Sequence, residues 1–82
     1  MFAHITNAQY LEGHRVHLWF NDGTDGEVDL AQQLNGPIFE PLHDANYFRE
    51  FQLEGHTLAW PNGADFAPEY LHQLVHASTA SR

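Results

Sequence analysis

The chain has 82 residues, no cysteine, and a formal net charge of −8 at pH 7. One domain with one small apolar core is the expectation at this length, and neither a disulfide nor a thiolate metal site can support it. Eleven Asp and Glu face three Lys and Arg, all three of them arginine (Arg15, Arg49, Arg82). That balance argues against direct binding to nucleic acid or to an anionic membrane, both of which need a basic footprint.

Taken in chain order, Ala3 to Tyr10 reads as a strand, and Glu12–Gly13–His14 as a turn. Arg15 to Phe20 alternates cleanly, with Val16, Leu18 and Phe20 on one face and Arg15, His17 and Trp19 on the other. Asn21–Asp22–Gly23 suits a tight loop in which Gly23 takes the left-handed conformation. Thr24 to Leu30 returns as a strand, so residues 15–30 form a hairpin. The connection that follows carries Gly36, Pro37 and Pro41, which argues against a strand. It is read as a helical turn near Ala31–Leu34, an inward cluster of Ile38, Phe39 and Leu42, and a turn Ala45–Phe48 capped by Asp44.

Period two resumes after Phe51, with Phe51 and Leu53 on one face and Gln52 and Glu54 on the other. Glu54–Gly55–His56 is a second turn, and Leu58 and Trp60 face the core from the last strand. A helix begins near Ala67, with Pro68 in its first turn, where a missing N–H is harmless. Phe66 or Tyr70, with Leu71, Leu74 and Val75, makes its apolar arc, and Glu69, His72 and His76 lie on the wet side. The expected fold is therefore α+β over residues 1–82. It is a mainly antiparallel five-stranded sheet in the order β-β-β, connection, β-β, packed by one C-terminal helix.

Three stretches, VHLWFNDGTDGEVDL, GPIFEPLHDANYFREFQLEG and TLAWPNGADFAPEYL, occur in that order over nearly the whole chain. Together they resemble the bacterial domain of unknown function 2442. The resemblance implies a small α+β domain and no established activity. Some relatives carry a helix-turn-helix extension; this sequence reaches Arg82 without one, so no DNA-binding role carries over. Relatives are often encoded beside a second small protein in pairs that look like toxin and antitoxin, which implies a protein partner.

The stretch Trp60–Pro61–Asn62–Gly63, with Asp65 and Pro68, could pass for an active site, but each residue has a structural use at a strand–helix joint. Pro61, Asn62 and Gly63 are turn chemistry, and Asp65 is expected to cap the helix and meet its dipole. His72 and His76, four apart on one helical face with Glu69 nearby, could hold zinc weakly. The intervening glutamate of a metalloprotease is missing, so they are adventitious candidates and no cofactor is expected. Asp22, Asp25, Glu27 and Asp29 lack the spacing of a calcium loop.

Cysteine and lysine nucleophiles are absent, and no phosphate-binding glycine loop occurs. What remains is surface: His17 and Trp19 lie on the outer side of their strand unless the connection, Ile38 to Phe48, folds over them. The leading expectation is a non-enzymatic, cytoplasmic protein-interaction domain that binds a partner or itself through His17 and Trp19. A second form is an antitoxin-like partner of a small basic protein, and a third reading is a small metal-linked or hydrolytic enzyme using histidines. No basic leader follows Met1 and no apolar run is long enough for a membrane helix.

Overall fold

The computed structural model describes residues 3–80, with side chains described up to residue 76. Three antiparallel strands, β1 (Ile5–Glu12), β2 (Arg15–Phe20) and β3 (Asp25–Asp29), form one sheet in that order. A second, two-stranded sheet holds β4 (Gln52–Glu54) and β5 (Thr57–Ala59). Between them run two 3-10 turns, Ala31–Gln33 and Pro37–His43, and the short helix α1 (Ala45–Phe48). The last element is α2 (Pro68–Ala80). The α+β class and the C-terminal helix agree with the sequence; the single five-stranded sheet does not.

The reason is visible at β1. Its first residue donates from Ile5 N–H to the His56 carbonyl at 2.9 Å, the one backbone bond among the described residues that ties the two sheets. The β1–β2 register slips between Ile5 and Asn7, so the backbone bends there and no ladder propagates. Side-chain packing orients the β4–β5 hairpin instead.

That packing is aromatic. Trp60 lies 5.6 Å from Phe48 and 5.8 Å from Phe66, centroid to centroid, and its indole N–H donates to the Phe48 carbonyl at 2.7 Å. Val16, Leu18 and Phe20 from β2, Val28 from β3, Leu42 from the connection, Leu58 from β5 and Leu71 and Val75 from α2 share this core. The alternation of β2 thus points inward as the sequence predicts. Thr57, a buried polar residue, donates its hydroxyl to the Phe66 carbonyl at 2.6 Å. Among the described residues no buried side-chain polar atom lacks a partner.

Two local expectations are corrected, the inward packing of Ile38 and the apolar arc of the C-terminal helix. Ile38 is 48% exposed, whereas Leu42 is fully buried and Phe39 packs on the core. A 3-10 turn repeats every three residues, which puts residues 39 and 42 on one side and turns 38 away. Leu53 is 41% exposed although it pairs with the fully buried Leu58. Phe66 is buried but precedes α2, and Tyr70 is exposed with its hydroxyl on the Gln33 side chain, so Leu71 and Val75 carry the buried arc with Leu74 packed beside them.

Asp65 does not cap α2. The chain turns at Trp60–Ala64, with Trp60 N–H to the Ala64 carbonyl at 2.9 Å and Gly63 N–H to the Trp60 carbonyl at 3.0 Å. It then runs back beside β5, where Asp65 bridges Ala59, so the helix starts three residues later with Pro68 first. Asp44 does cap as predicted: its carboxylate accepts from Asn46 N–H at 2.9 Å. Asp44→Ala should therefore cost about 1 kcal/mol, while Asp65→Ala should stay within about 0.5 kcal/mol; urea midpoints of the two variants check the order.

Trp60→Phe removes the indole donor and strands a buried carbonyl. The expected loss is about 1–3 kcal/mol, read as a lower denaturation midpoint at an unchanged denaturant slope.

Candidate interaction surface

The β2 pairings place the outer-face residues in rows. Asn7, Trp19 and Asp25 stand side by side, then Gln9, His17 and Glu27, while Arg15 stands opposite Asp29. On the other face Tyr10, Val16 and Val28 make the corresponding core row. His17 and Trp19 touch, ring centroids 4.3 Å apart, and both are half-buried. His17 Nε2 lies 2.7 Å from Asp25 Oδ2, so an imidazole N–H donates to the neighbouring strand's carboxylate. Arg15 bonds Glu12 at 3.0 Å and also the Glu27 carboxylate. That second contact, first as a hydrogen bond and then as a charge pair, holds the Arg15 guanidinium above its ordinary pKa.

The connection does not fold over this face. Phe48 sits 4.8 Å from the His14 ring and 6.4 Å from Tyr10, on the core side, and Leu42 is buried there too. Helix α2 packs on that same side through Leu71 and Val75. The described elements thus gather on one face of the three-stranded sheet and leave the other to Trp19, His17 and the charged rows.

The remaining predicted residues lie elsewhere. Pro61, Asn62 and Gly63 form an exposed turn; Asn62 accepts from Ala64 N–H at 3.1 Å and donates to the Ile38 carbonyl at 2.8 Å. Trp60 is buried beneath them, and neither His17 nor Trp19 is nearby in the pairing. His72 is not on a wet face. It meets the Phe20 ring edge-on at 4.9 Å, and its Nε2 lies 2.8 Å from Asp22 Oδ2. Its partner in the zinc reading, His76, stays exposed, and among the described residues no three His, Asp or Glu gather as metal ligands.

Sequence reasoning missed how the histidines are used. A carbonyl only accepts, so His14 Nε2–H donates to Leu42 at 2.7 Å and His43 Nε2–H to Leu34 at 3.0 Å, both tying the connection in place. His4 and His56 stack at 4.2 Å across the junction of the two sheets. His56 has φ 67° and follows Gly55 at φ 59°, the pair of positive values that a two-residue type I′ hairpin requires. Histidine after glycine between two short apolar runs was the available signal, since His is enriched among left-handed non-glycine residues.

Asp22 is held down to about 2 from the usual carboxylate range, first by the Thr24 backbone N–H and then by His72. A carboxylate lowered in the folded state stabilises it above the unfolded value, and that contribution fades as pH falls toward about 2. An NMR titration of Asp22 should show this low midpoint, and His72→Ala should move it part of the way back. A wild-type midpoint in the ordinary carboxylate range would contradict the turn geometry.

No helix among the described residues is long and apolar enough to cross a membrane. No curated protein and no solved structure matches the chain. The model of one family, described as Protein of unknown function (DUF2442), matches residues 5–77. That span takes in β1 through most of α2, with the outer-face row and the Trp60 turn inside it. The chain therefore belongs to the DUF2442 family.

Proposed function

We propose that this chain is a non-enzymatic protein-interaction domain of a bacterial cytoplasm. It binds a basic protein partner through the outer face of the β1–β3 sheet, around His17 and Trp19. The observation that carries this reading is the one-sided packing of the sheet. A tryptophan in contact with a histidine is left on the face opposite the core, rimmed by Asp25, Glu27, Asp29 and Glu12. Aromatic anchors ringed by charge are the usual composition of a binding patch, and tryptophan is prominent among the residues that dominate binding energy. The net charge of −8 favours a basic partner and steers its approach.

An antitoxin-like pairing with a small basic protein is the form of this reading that the family resemblance suggests. The catalytic alternative draws less support, because His14, His17, His43 and His72 each place Nε2 on a carbonyl or carboxylate of the fold. Direct nucleic-acid binding has only three arginines to draw on.

A stoichiometric partner recovered from the native cell extract, then purified and titrated, tests the reading. Trp19→Ala, folded by circular dichroism, should lose about 2 kcal/mol or more of binding energy. Raising the salt from about 0.05 to about 0.5 M should weaken the complex. Binding that is indifferent to both would end the proposal.

A further inference from the structure

The free side of β3 goes beyond the face itself. Phe20 N–H donates to the Thr24 carbonyl at 2.8 Å, and Leu30 N–H donates to the His14 carbonyl at 2.9 Å. With the β2–β3 register, these bonds turn the main chain of Thr24, Gly26, Val28 and Leu30 toward β2. Asp25, Glu27 and Asp29 alternate with them, so their N–H and C=O groups point away from β2 toward the sheet edge, while α2 packs against β3 from the core side, where Val28 lies. Among the described residues no other backbone segment bonds to them. The same three residues carry exposed carboxylates on the outer face.

An unpaired edge is a template for another strand. Here each edge-facing peptide comes with an acidic side chain, in the period of two that a strand presents. That pattern selects the occupant. A second copy of β3 added antiparallel would set carboxylate opposite carboxylate, which is destabilising, and two chains of charge −8 repel. An extended segment with Lys or Arg at every second position meets the edge with its main chain and the carboxylates with its side chains. Arg15 and His17 already share two of these carboxylates, so the incoming cations complete a row that alternates in sign across the sheet.

We propose that the β3 edge takes up an extended basic segment of the partner as a fourth, antiparallel strand, hydrogen-bonded at Asp25, Glu27 and Asp29. The inference rests on the interaction reading above and specifies its mode. It makes the outer face and the edge one continuous site, with the Trp19–Asp25 row running into the new strand.

The test uses the capped peptide Lys-Thr-Lys-Val-Lys-Thr-Lys and the isotope-labelled protein. Two control peptides accompany it, one N-methylated at its lysines and one with Glu for Lys. On binding the first peptide, amide exchange of Asp25, Glu27 and Asp29 should slow by about tenfold or more. The N-methylated peptide, which lacks the donors opposite the edge, should bind at least about tenfold more weakly, and the Glu peptide should not bind. Glu27→Pro removes an edge-facing donor without touching the β2 ladder and, in a protein with unchanged circular dichroism, should bind more weakly than Glu27→Gln, which loses the same charge but keeps the donor. The triple change Asp25→Asn, Glu27→Gln, Asp29→Asn keeps the backbone and should weaken binding through charge alone.

Equal binding of the N-methylated peptide, or unslowed amides at saturation, would overturn the edge inference. So would failure of the lysine peptide to bind while the native partner still depends on Trp19; in each of these cases the face reading survives. Loss of both peptide binding and Trp19-dependent partner binding would bring down the two together.

Discussion

The contact between Trp60 and Phe48 holds the two halves of this domain in register. The indole N–H meets the carbonyl at the end of α1, and the two rings pack at 5.6 Å. With Phe51 and Phe66 against the same indole, one side chain gathers the end of β5, the short helix and the segment that enters α2. Among the described residues the sheets share one backbone bond, so side-chain packing rather than strand pairing makes them one body. In a small domain with no disulfide, that places much of the stability on a few aromatic contacts.

This arrangement has a functional consequence. Because α1, the 3-10 turns and α2 all converge on the core side of the β1–β3 sheet, nothing among the described elements returns to the other face. The residues left there, Trp19 beside His17 with acidic neighbours along β3, are those on which the proposed interaction rests. By number alone the histidines invite a catalytic or metal reading, yet three of the seven hold loops. His14 and His43 anchor the connection through Leu42 and Leu34, and His72 braces the β2–β3 turn through Asp22. Membership of the DUF2442 family is consistent with this reading but names no activity.

Local pattern carried much of the fold. The alternation of Arg15 to Phe20, the glycine of the hairpin turn, the Asp44 cap and Pro68 at the helix start are each decided within a few residues, and each stands where periodicity or capping puts it. Asp65 misled because an acidic residue just before a helix is ambiguous. The turn at Trp60–Ala64 sends the chain back along β5 before the helix can begin, and only the bonds across that turn reveal it. Ile38 misled because apolar character says a residue can be buried, not that a neighbour arrives to bury it.

By itself the sequence determined the class, the element order, the inward face of β2 and the acidic, cysteine-free character of the chain, because these follow from periods of two and 3.6 residues and from composition. It also singled out His17 and Trp19 as a pair on one side of a strand. Tertiary structure decided that the five strands divide into two sheets, which histidines bond to which carbonyls, and which face of the β1–β3 sheet stays uncovered. Those outcomes depend on contacts between residues far apart in the chain, such as Phe48 with Trp60 and Asp22 with His72, and no local period encodes where such partners meet.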